Sequence, residues 1–300
     1  MSLPDAEKEK STAALSSVWA ATFLTGLKIT VGLWTGSLGI LAEAAHSALD
    51  LVAAVVTLIA VRAAGRPADA DHHYGHGKIE NLSAGVEVIL LLVTSGWIIE
   101  EAVKRLVVGQ AHIDASIWAF AVLGVSIVVD ITRSRMLQRA AEKHNSQALE
   151  ADALHFSTDV WSSAVVVAGL VGVRVAAAFP AVAFLAKADA VAALGVAGIV
   201  MVVSLKLGYR TVQALLDATP PELTEKVKRA AEGVSGVRDC HAIRIRLSGP
   251  QHFVDLHILV DGSLPLDLAH RITEEVETAV QTVLPGADVT VHPEPDKKEG

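Results

Sequence analysis

The stretch LGILAEAAHSALDLVAAVV, residues 38–56, decides the fold because it combines an apolar run of membrane length with three ionisable side chains. A helix needs about 20 predominantly apolar residues to cross the hydrocarbon core of a bilayer. Glu43, His46 and Asp50 interrupt this run. Ionisable residues at membrane depth are costly, and they mark ion pathways or proton relays. The stretch therefore predicts a transmembrane helix with a functional polar face.

Similar apolar runs recur over the first two thirds of the 300 residues, and 52% of the chain is hydrophobic. These runs predict an α-helical membrane protein with a bundle of six transmembrane helices. Their ranges are 13–33, 38–63, 79–108, 116–139, 146–178 and 188–216. Lysine and arginine are concentrated before the first helix, between the second and third, and around the fourth. The positive-inside rule therefore places both termini in the cytoplasm.

The composition changes to that of a small soluble domain after residue 217. Amphipathic helices are predicted at 221–234 and 266–284, and alternating strands at 241–249, 252–261 and 287–292. The order αββαβ predicts a compact α+β sandwich. We therefore divide the chain into a cytoplasmic N-terminal segment (1–10), a transmembrane domain (11–217), a cytoplasmic α+β domain (218–292) and a tail (293–300).

Composition limits the possible partners and chemistry. The single cysteine, Cys240, excludes an intrachain disulfide and a thiolate-rich zinc site, so metal chemistry depends on His, Asp and Glu. The formal net charge of -8, without a basic stripe, makes nucleic acid an unfavourable partner and is compatible with cations. No motif implies a prosthetic group.

Two HxxxD pairs provide a candidate metal site. His46 and Asp50 are four residues apart, and so are His155 and Asp159 in DALHFSTDVWS. That spacing places both side chains of a pair on one helix face. Two imidazoles and two carboxylates can surround one ion, and this ligand set suits tetrahedral Zn²⁺. For either pair alone, a polar kink or an interhelical hydrogen bond is the alternative.

The segments HSALD, HFSTD and HHYGHGK, together with the histidines of the C-terminal domain, resemble the cation diffusion facilitator family of divalent-metal transporters. The resemblance extends from Ser11 to about His292. It implies a homodimer with six helices per protomer, a metallochaperone-like cytoplasmic domain, metal export coupled to proton import, and a location in the bacterial inner membrane.

The resemblance also assigns residues. The family's transport site matches His46, Asp50, His155 and Asp159. Many bacterial members have Asp at the position of His46, and the version with two His and two Asp resembles the zinc-preferring members. By ligand softness this set favours Zn²⁺ over Mn²⁺ and makes iron a less favoured substrate.

Two further clusters match cytoplasmic metal sites of the family. The loop 67–78 contributes Asp69, His72 and His76, with His73 and Asp71 as spare donors; a solvated loop that binds metal weakly is the alternative. The terminal domain contributes the residues of an expected binuclear site, for which ordinary surface histidines are the alternative. These residues are His241, His257, His270, His292 and Glu294.

These observations and the resemblance predict a proton-coupled antiporter that exports divalent cations by alternating access. Zn²⁺ is the expected main substrate and also the expected regulatory ligand of the cytoplasmic domain. Protons and metal would compete for the same lone pairs. Export of Fe²⁺, Cd²⁺, Co²⁺ or Mn²⁺ and a membrane-anchored metal sensor are the alternatives. An enzyme is not expected, because neither HExxH nor GxSxG occurs and four protein ligands leave zinc no open position.

Overall fold

The computed structural model describes residues 3–108, 117–178 and 185–296 and divides into two compact units. The first unit comprises Met1–Arg66 and Ile79–Thr211, and the second comprises Pro67–Lys78 and Val212–Gly300. The loop that carries Asp69 therefore belongs to the second unit. The predicted connections around 109–114 and 176–187, and the last four residues of the predicted tail, lie partly or wholly outside the described residues.

Six long helices confirm the predicted α-helical membrane domain. They are α1 (Leu3–Thr35), α2 (Leu38–Ala64), α3 (Lys78–Val108), α4 (Ile117–His144), α5 (Gln147–Ala178) and α6 (Leu185–Leu215). Within the described residues, α1, α2, α3, α4 and α6 contain stretches long and apolar enough to cross a membrane. Many large apolar side chains are exposed on these helices, as expected for surfaces that contact lipid.

Small side chains let the helices of the first unit pack closely. A buried cluster joins α1, α2, α4 and α5 through small residues that include Ala14, Ala54, Ala141 and Ala153. Close packing of small residues stabilises membrane bundles, because lipid tails provide no hydrophobic drive for helix association. At Gly208, α6 approaches α3 so closely that a Cβ would lie 2.9 Å from Cγ1 of Val88.

Helix α1 begins earlier than the sequence predicts. The expected membrane helix starts at residue 13, whereas α1 starts at Leu3. Lys10 is only 1% exposed because its Nζ lies 2.6 Å from carboxylate oxygens of both Glu7 and Glu80. A buried lysine needs such partners. Glu80 is distant in sequence, so hydropathy could not reveal this pairing.

The second unit contains the predicted αββαβ order after the loop 67–78. Its elements are α7 (Pro221–Glu232), β1 (Asp239–Ser248), β2 (Gln251–Asp261), α8 (Leu266–Val283) and β3 (Asp288–Asp296). The sheet order is β1-β2-β3, with β1 antiparallel and β3 parallel to β2. Alternate β2 residues, Val254, Leu256 and Ile258, are buried in the core formed with α7 and α8. The intervening residues are therefore on the other face of the sheet.

The predicted start of the tail at residue 293 was wrong for four residues. Strand β3 continues to Asp296 and pairs with β2 as far as Asp261. Pro293 and Pro295 lack the N–H group that a central strand needs, but β3 is an edge strand in which alternate positions face away from β2. The two prolines are two residues apart and occupy equivalent positions, so the strand accommodates both.

Candidate metal centres

Two helices bring the HxxxD pairs together in the first unit. α2 carries His46 and Asp50, and α5 carries His155 and Asp159. Nε2 of His155 lies 3.2 Å from Oδ1 of Asp50 and 3.7 Å from Oδ2 of Asp159. Nε2 of His46 lies 3.9 Å from Oδ1 of Asp50 and 3.8 Å from Oδ1 of Asp159. We call these four residues the membrane cluster.

The membrane cluster is enclosed except at His46. Asp50 and His155 are 8% and 5% exposed, whereas the His46 side chain is 32% exposed. Ligand atoms of Asp50, His155 and Asp159 all lie within 4.8 Å of one another. Two ionised carboxylates in such surroundings need compensating positive charge. A divalent cation bound by them and by neutral imidazoles would provide that charge without excess.

A cavity of about 480 Å³ reaches the membrane cluster at His46. Its lining comes from the first turns of α2, the last part of α3, the middle of α5 and the first half of α6, and includes Glu43, Trp97 and Ala190. The α2, α3 and α6 segments lie toward the end of the bundle that carries the turn between α1 and α2. The cavity therefore connects His46 to the end of the bundle where that turn lies.

A second set of buried contacts surrounds the cluster. Glu87 of α3 is 1% exposed, and its Oε2 lies 3.5 Å from Nδ1 of His155. Sequence reasoning assigned Glu87 no role, because α3 carries no HxxxD pair. Asp130 lines a small cavity of about 40 Å³ together with three residues of the cluster. Its Oδ1 lies 3.3 Å from Nη1 of Arg133. Arg133 also donates to Ser17 at 2.9 Å, so this charged pair is anchored within the bundle.

The loop of the second unit brings together Asp69, His72 and His76, which we call the loop cluster. The two imidazoles lie 3.2 and 3.4 Å from separate oxygens of Asp69. The backbone N–H of His72 donates to Oδ1 of Asp69 at 2.7 Å and holds the pKa of that carboxyl below its usual value. His73 instead contacts the carbonyl oxygen of Ala70, so it lies outside the cluster.

Packing within the second unit holds this loop against the sheet. Tyr74 contacts the Phe253 ring edge to face at 5.1 Å, and the Arg246 guanidinium lies 3.4 Å from the Tyr74 ring centre. A Cβ at Gly77 would collide with the carbonyl oxygen of Ser248, so the close approach requires glycine. The loop cluster therefore belongs to a segment that is fixed at Tyr74 and Gly77.

Strand register assembles a third group, His241, His257 and Glu294, which we call the sheet cluster. His257 is the Cα partner of His241 on β1 and of His292 on β3, so the three imidazoles share one face. Nδ1 of His257 lies 2.8 Å from Oε1 of Glu294, and Nε2 of His241 lies 3.4 Å from Oε2. The hydrogen bond with His257 lowers the pKa of the Glu294 carboxyl.

The other two predicted histidines of this domain are placed differently. Nε2 of His292 lies 3.9 Å from Oε1 of Glu294, and its ring centre is 4.8 Å from that of His257, so it borders the sheet cluster. His270 lies on α8, where its Nε2 is 3.6 Å from Glu274. Within the described residues, the structure therefore brings His292 close to the sheet cluster and keeps His270 apart from it.

The long apolar helices, the buried His and Asp cluster and the α+β unit define an integral membrane metal transporter. The chain belongs to the cation efflux family, also called the cation diffusion facilitators. Residues 14–216 match the cation efflux transmembrane domain, and residues 219–296 match the cytoplasmic domain of cation efflux proteins.

Similar proteins include cation-efflux pumps of two bacteria. The FieF pump of Cronobacter sakazakii is 32% identical over 286 residues, covering 95% of this chain and 92% of the pump. The FieF pump of Yersinia enterocolitica is 33% identical over 293 residues, covering 94% and 92%. Among solved structures, the C-terminal domain of MamM matches with 30% identity and a TM-score of 0.24, covering 25% of this chain and 96% of that domain.

Proposed function

We propose that this chain is a proton-coupled antiporter that exports divalent cations, with Zn²⁺ as the main substrate, through the membrane cluster. The observation that carries the proposal is the meeting of two imidazoles and two carboxylates from α2 and α5, with nitrogen–oxygen separations of 3.2–3.9 Å. The donor set supports Zn²⁺ because it combines two nitrogens with two hard oxygens and compensates the cation's charge. Transport, rather than catalysis, is the proposed activity.

Coupling to protons follows from the same atoms. An imidazole that takes up a proton loses the lone pair that binds metal, and its new charge repels a cation. The exposed edge of His46 faces the cavity of about 480 Å³, which gives protons and metal one route to the cluster. Alternating access then requires the bundle to close this route and to open another from the opposite side.

The remaining assignments rest on the family and on charge placement. We propose a homodimer in a bacterial inner membrane with both termini in the cytoplasm, consistent with the positive-inside rule. The cavity at His46 then opens to the outside. The loop and sheet clusters would bind cytoplasmic Zn²⁺ as a regulatory ligand that favours one conformation of the bundle.

Flux measurements in proteoliposomes test the proposal. The purified full-length protein should transport Zn²⁺ in exchange for protons that move down an imposed gradient. Zn²⁺ flux should fall when nigericin collapses that gradient at a clamped membrane potential. Unaltered Zn²⁺ flux would contradict proton coupling. A panel of Fe²⁺, Cd²⁺, Co²⁺ and Mn²⁺ tests the choice of substrate. Absence of flux with Zn²⁺ and with all four of these ions would favour a membrane-anchored metal sensor.

A further inference from the structure

A third carboxylate stands behind the membrane cluster. Glu87 comes from α3, which contributes none of the four cluster residues, and its side chain is 1% exposed. Its Oε1 accepts a hydrogen bond from Oγ1 of Thr57 at 3.2 Å. Its other oxygen, Oε2, lies 3.5 Å from Nδ1 of His155. Glu87 is therefore held by α2 on one side and directed at α5 on the other.

The two facing atoms have no competing hydrogen-bond partner among the described residues. Oε2 of Glu87 and Nδ1 of His155 are both buried without a hydrogen bond. A buried polar atom without a partner costs free energy, so each such atom calls for an explanation. A small rotation of either side chain would bring the 3.5 Å separation into hydrogen-bond range.

The two ring nitrogens of His155 face different groups. Nε2 is directed at Asp50 and Asp159, whereas Nδ1 is directed at Glu87. A neutral imidazole has one N–H group and one lone pair, and the partner of one nitrogen decides which tautomer is present. A carboxylate that accepts from Nδ1–H leaves the lone pair on Nε2, where a cation would bind, and makes that nitrogen more basic.

We infer that Glu87 is a positioning residue for the transported cation: it accepts the Nδ1–H of His155 and thereby fixes the ring with the Nε2 lone pair directed into the membrane cluster. This inference rests on the proposed function of that cluster. It extends the metal centre to a third helix, since Thr57 and His155 tie Glu87 to α2 and α5. Glu87 itself does not ligate the cation.

Three variants of the full-length protein test the inference. Glu87→Met removes both oxygens at similar side-chain length, and Glu87→Gln keeps an oxygen that can accept a hydrogen bond but removes the charge. Glu80→Gln is the matched control, because Glu80 is equally buried on the same helix but contacts Lys10 and Ser146 instead. Equilibrium dialysis with Zn²⁺ as the only metal measures affinity. Because the loop and sheet clusters can also bind Zn²⁺, the binding that is lost in Asp159→Ala is assigned to the membrane cluster.

Glu87→Met should weaken Zn²⁺ binding at the membrane site by about 10- to 100-fold, the usual effect of losing a carboxylate behind a histidine ligand. Glu87→Gln should lose less, and Glu80→Gln should bind as wild type does. The Co²⁺ absorption spectrum should keep its tetrahedral form in both Glu87 variants, because the four ligands remain. Thermal stability of the metal-free protein should fall little in Glu87→Gln, because the amide oxygen can still accept from the Thr57 hydroxyl.

Wild-type affinity in Glu87→Met would overturn the inference. So would a loss of affinity accompanied by an equal loss of metal-free thermal stability in both Glu87 variants, because Glu87 would then act in folding. If Asp159→Ala itself bound Zn²⁺ as wild type does, the proposed function would fail, and the inference would fall with it. Loss in Asp159→Ala without loss in Glu87→Met would leave the proposed function standing and refute the positioning role alone.

Discussion

The membrane cluster and the sheet cluster use the same kinds of ligand atom in opposite surroundings. His155 and Asp50 are almost fully buried, whereas the side chains of His257 and Glu294 are each 35% exposed. Water can hydrate the charges of the sheet cluster when no metal is bound, but it has little access to those of the membrane cluster. Burial therefore makes the membrane cluster more dependent on every partner than the sheet cluster is.

The largest effect should follow from Asp50→Asn, which keeps the size of the side chain and removes its charge. Breaking a buried charge pair costs about 3–5 kcal/mol, so Zn²⁺ affinity at the membrane site should fall at least about 100-fold. Equilibrium dialysis of the detergent-solubilised protein measures this. Ser163→Ala is the control, because Ser163 lines the adjoining small cavity. A loss below tenfold in Asp50→Asn would erase the expected contrast between the clusters.

A smaller effect is expected from Glu294→Gln in the sheet cluster. Metal affinity there should fall by about tenfold with the loss of a charge-assisted contact. Because the pKa of Glu294 is lowered from 4.5, its stabilisation of the fold is present above that pH and is lost as pH falls through the folded-state pKa. The carboxyl is therefore predominantly ionised between pH 5 and 8. An unchanged metal affinity of Glu294→Gln within that range would refute this account of Glu294.

Sequence patterns could predict the ligands that share an element. The four-residue spacing of His46 and Asp50 places both on one helix face, and alternation in β2 places His257 opposite the core. Contacts between distant elements carried no such signal. Glu87 meets His155 only through helix packing, and strand register alone shows that His241 and His292 flank His257. Secondary-structure spacing is local, whereas these pairings depend on tertiary structure.

Arg246→Met should have a modest effect on the loop cluster. The Arg246 guanidinium lies over Tyr74, and an exposed cation–π contact contributes about 0.5–1 kcal/mol. Loss of that contact should speed hydrogen exchange of the amides in 67–78 by a few fold and weaken metal binding there, because the loop must then be ordered on binding. Exchange in α8 provides the internal control, because β2 pairs with β1 at Arg246. Unchanged loop exchange would show that Arg246 does not restrain the loop.

The smallest effect concerns Cys240, the only thiol in the chain. Cys240 is 0% exposed, and burial raises the pKa of its thiol to about 11. Because the thiolate is the reactive form, iodoacetamide at pH 8 should label the native protein far more slowly than the unfolded protein. Mass spectrometry measures the labelled fraction. Equal labelling rates in the two states would contradict the burial of β1 beside the sheet cluster.

The most direct measurement of the central claim compares Zn²⁺ flux in proteoliposomes for wild type, Asp159→Ala and Glu294→Ala under one proton gradient. Circular dichroism and size-exclusion chromatography first establish that each variant is folded. The account predicts background flux in Asp159→Ala and measurable flux in Glu294→Ala, because only the first change removes a ligand from the transport path. Wild-type flux in Asp159→Ala would contradict the assignment of transport to the membrane cluster.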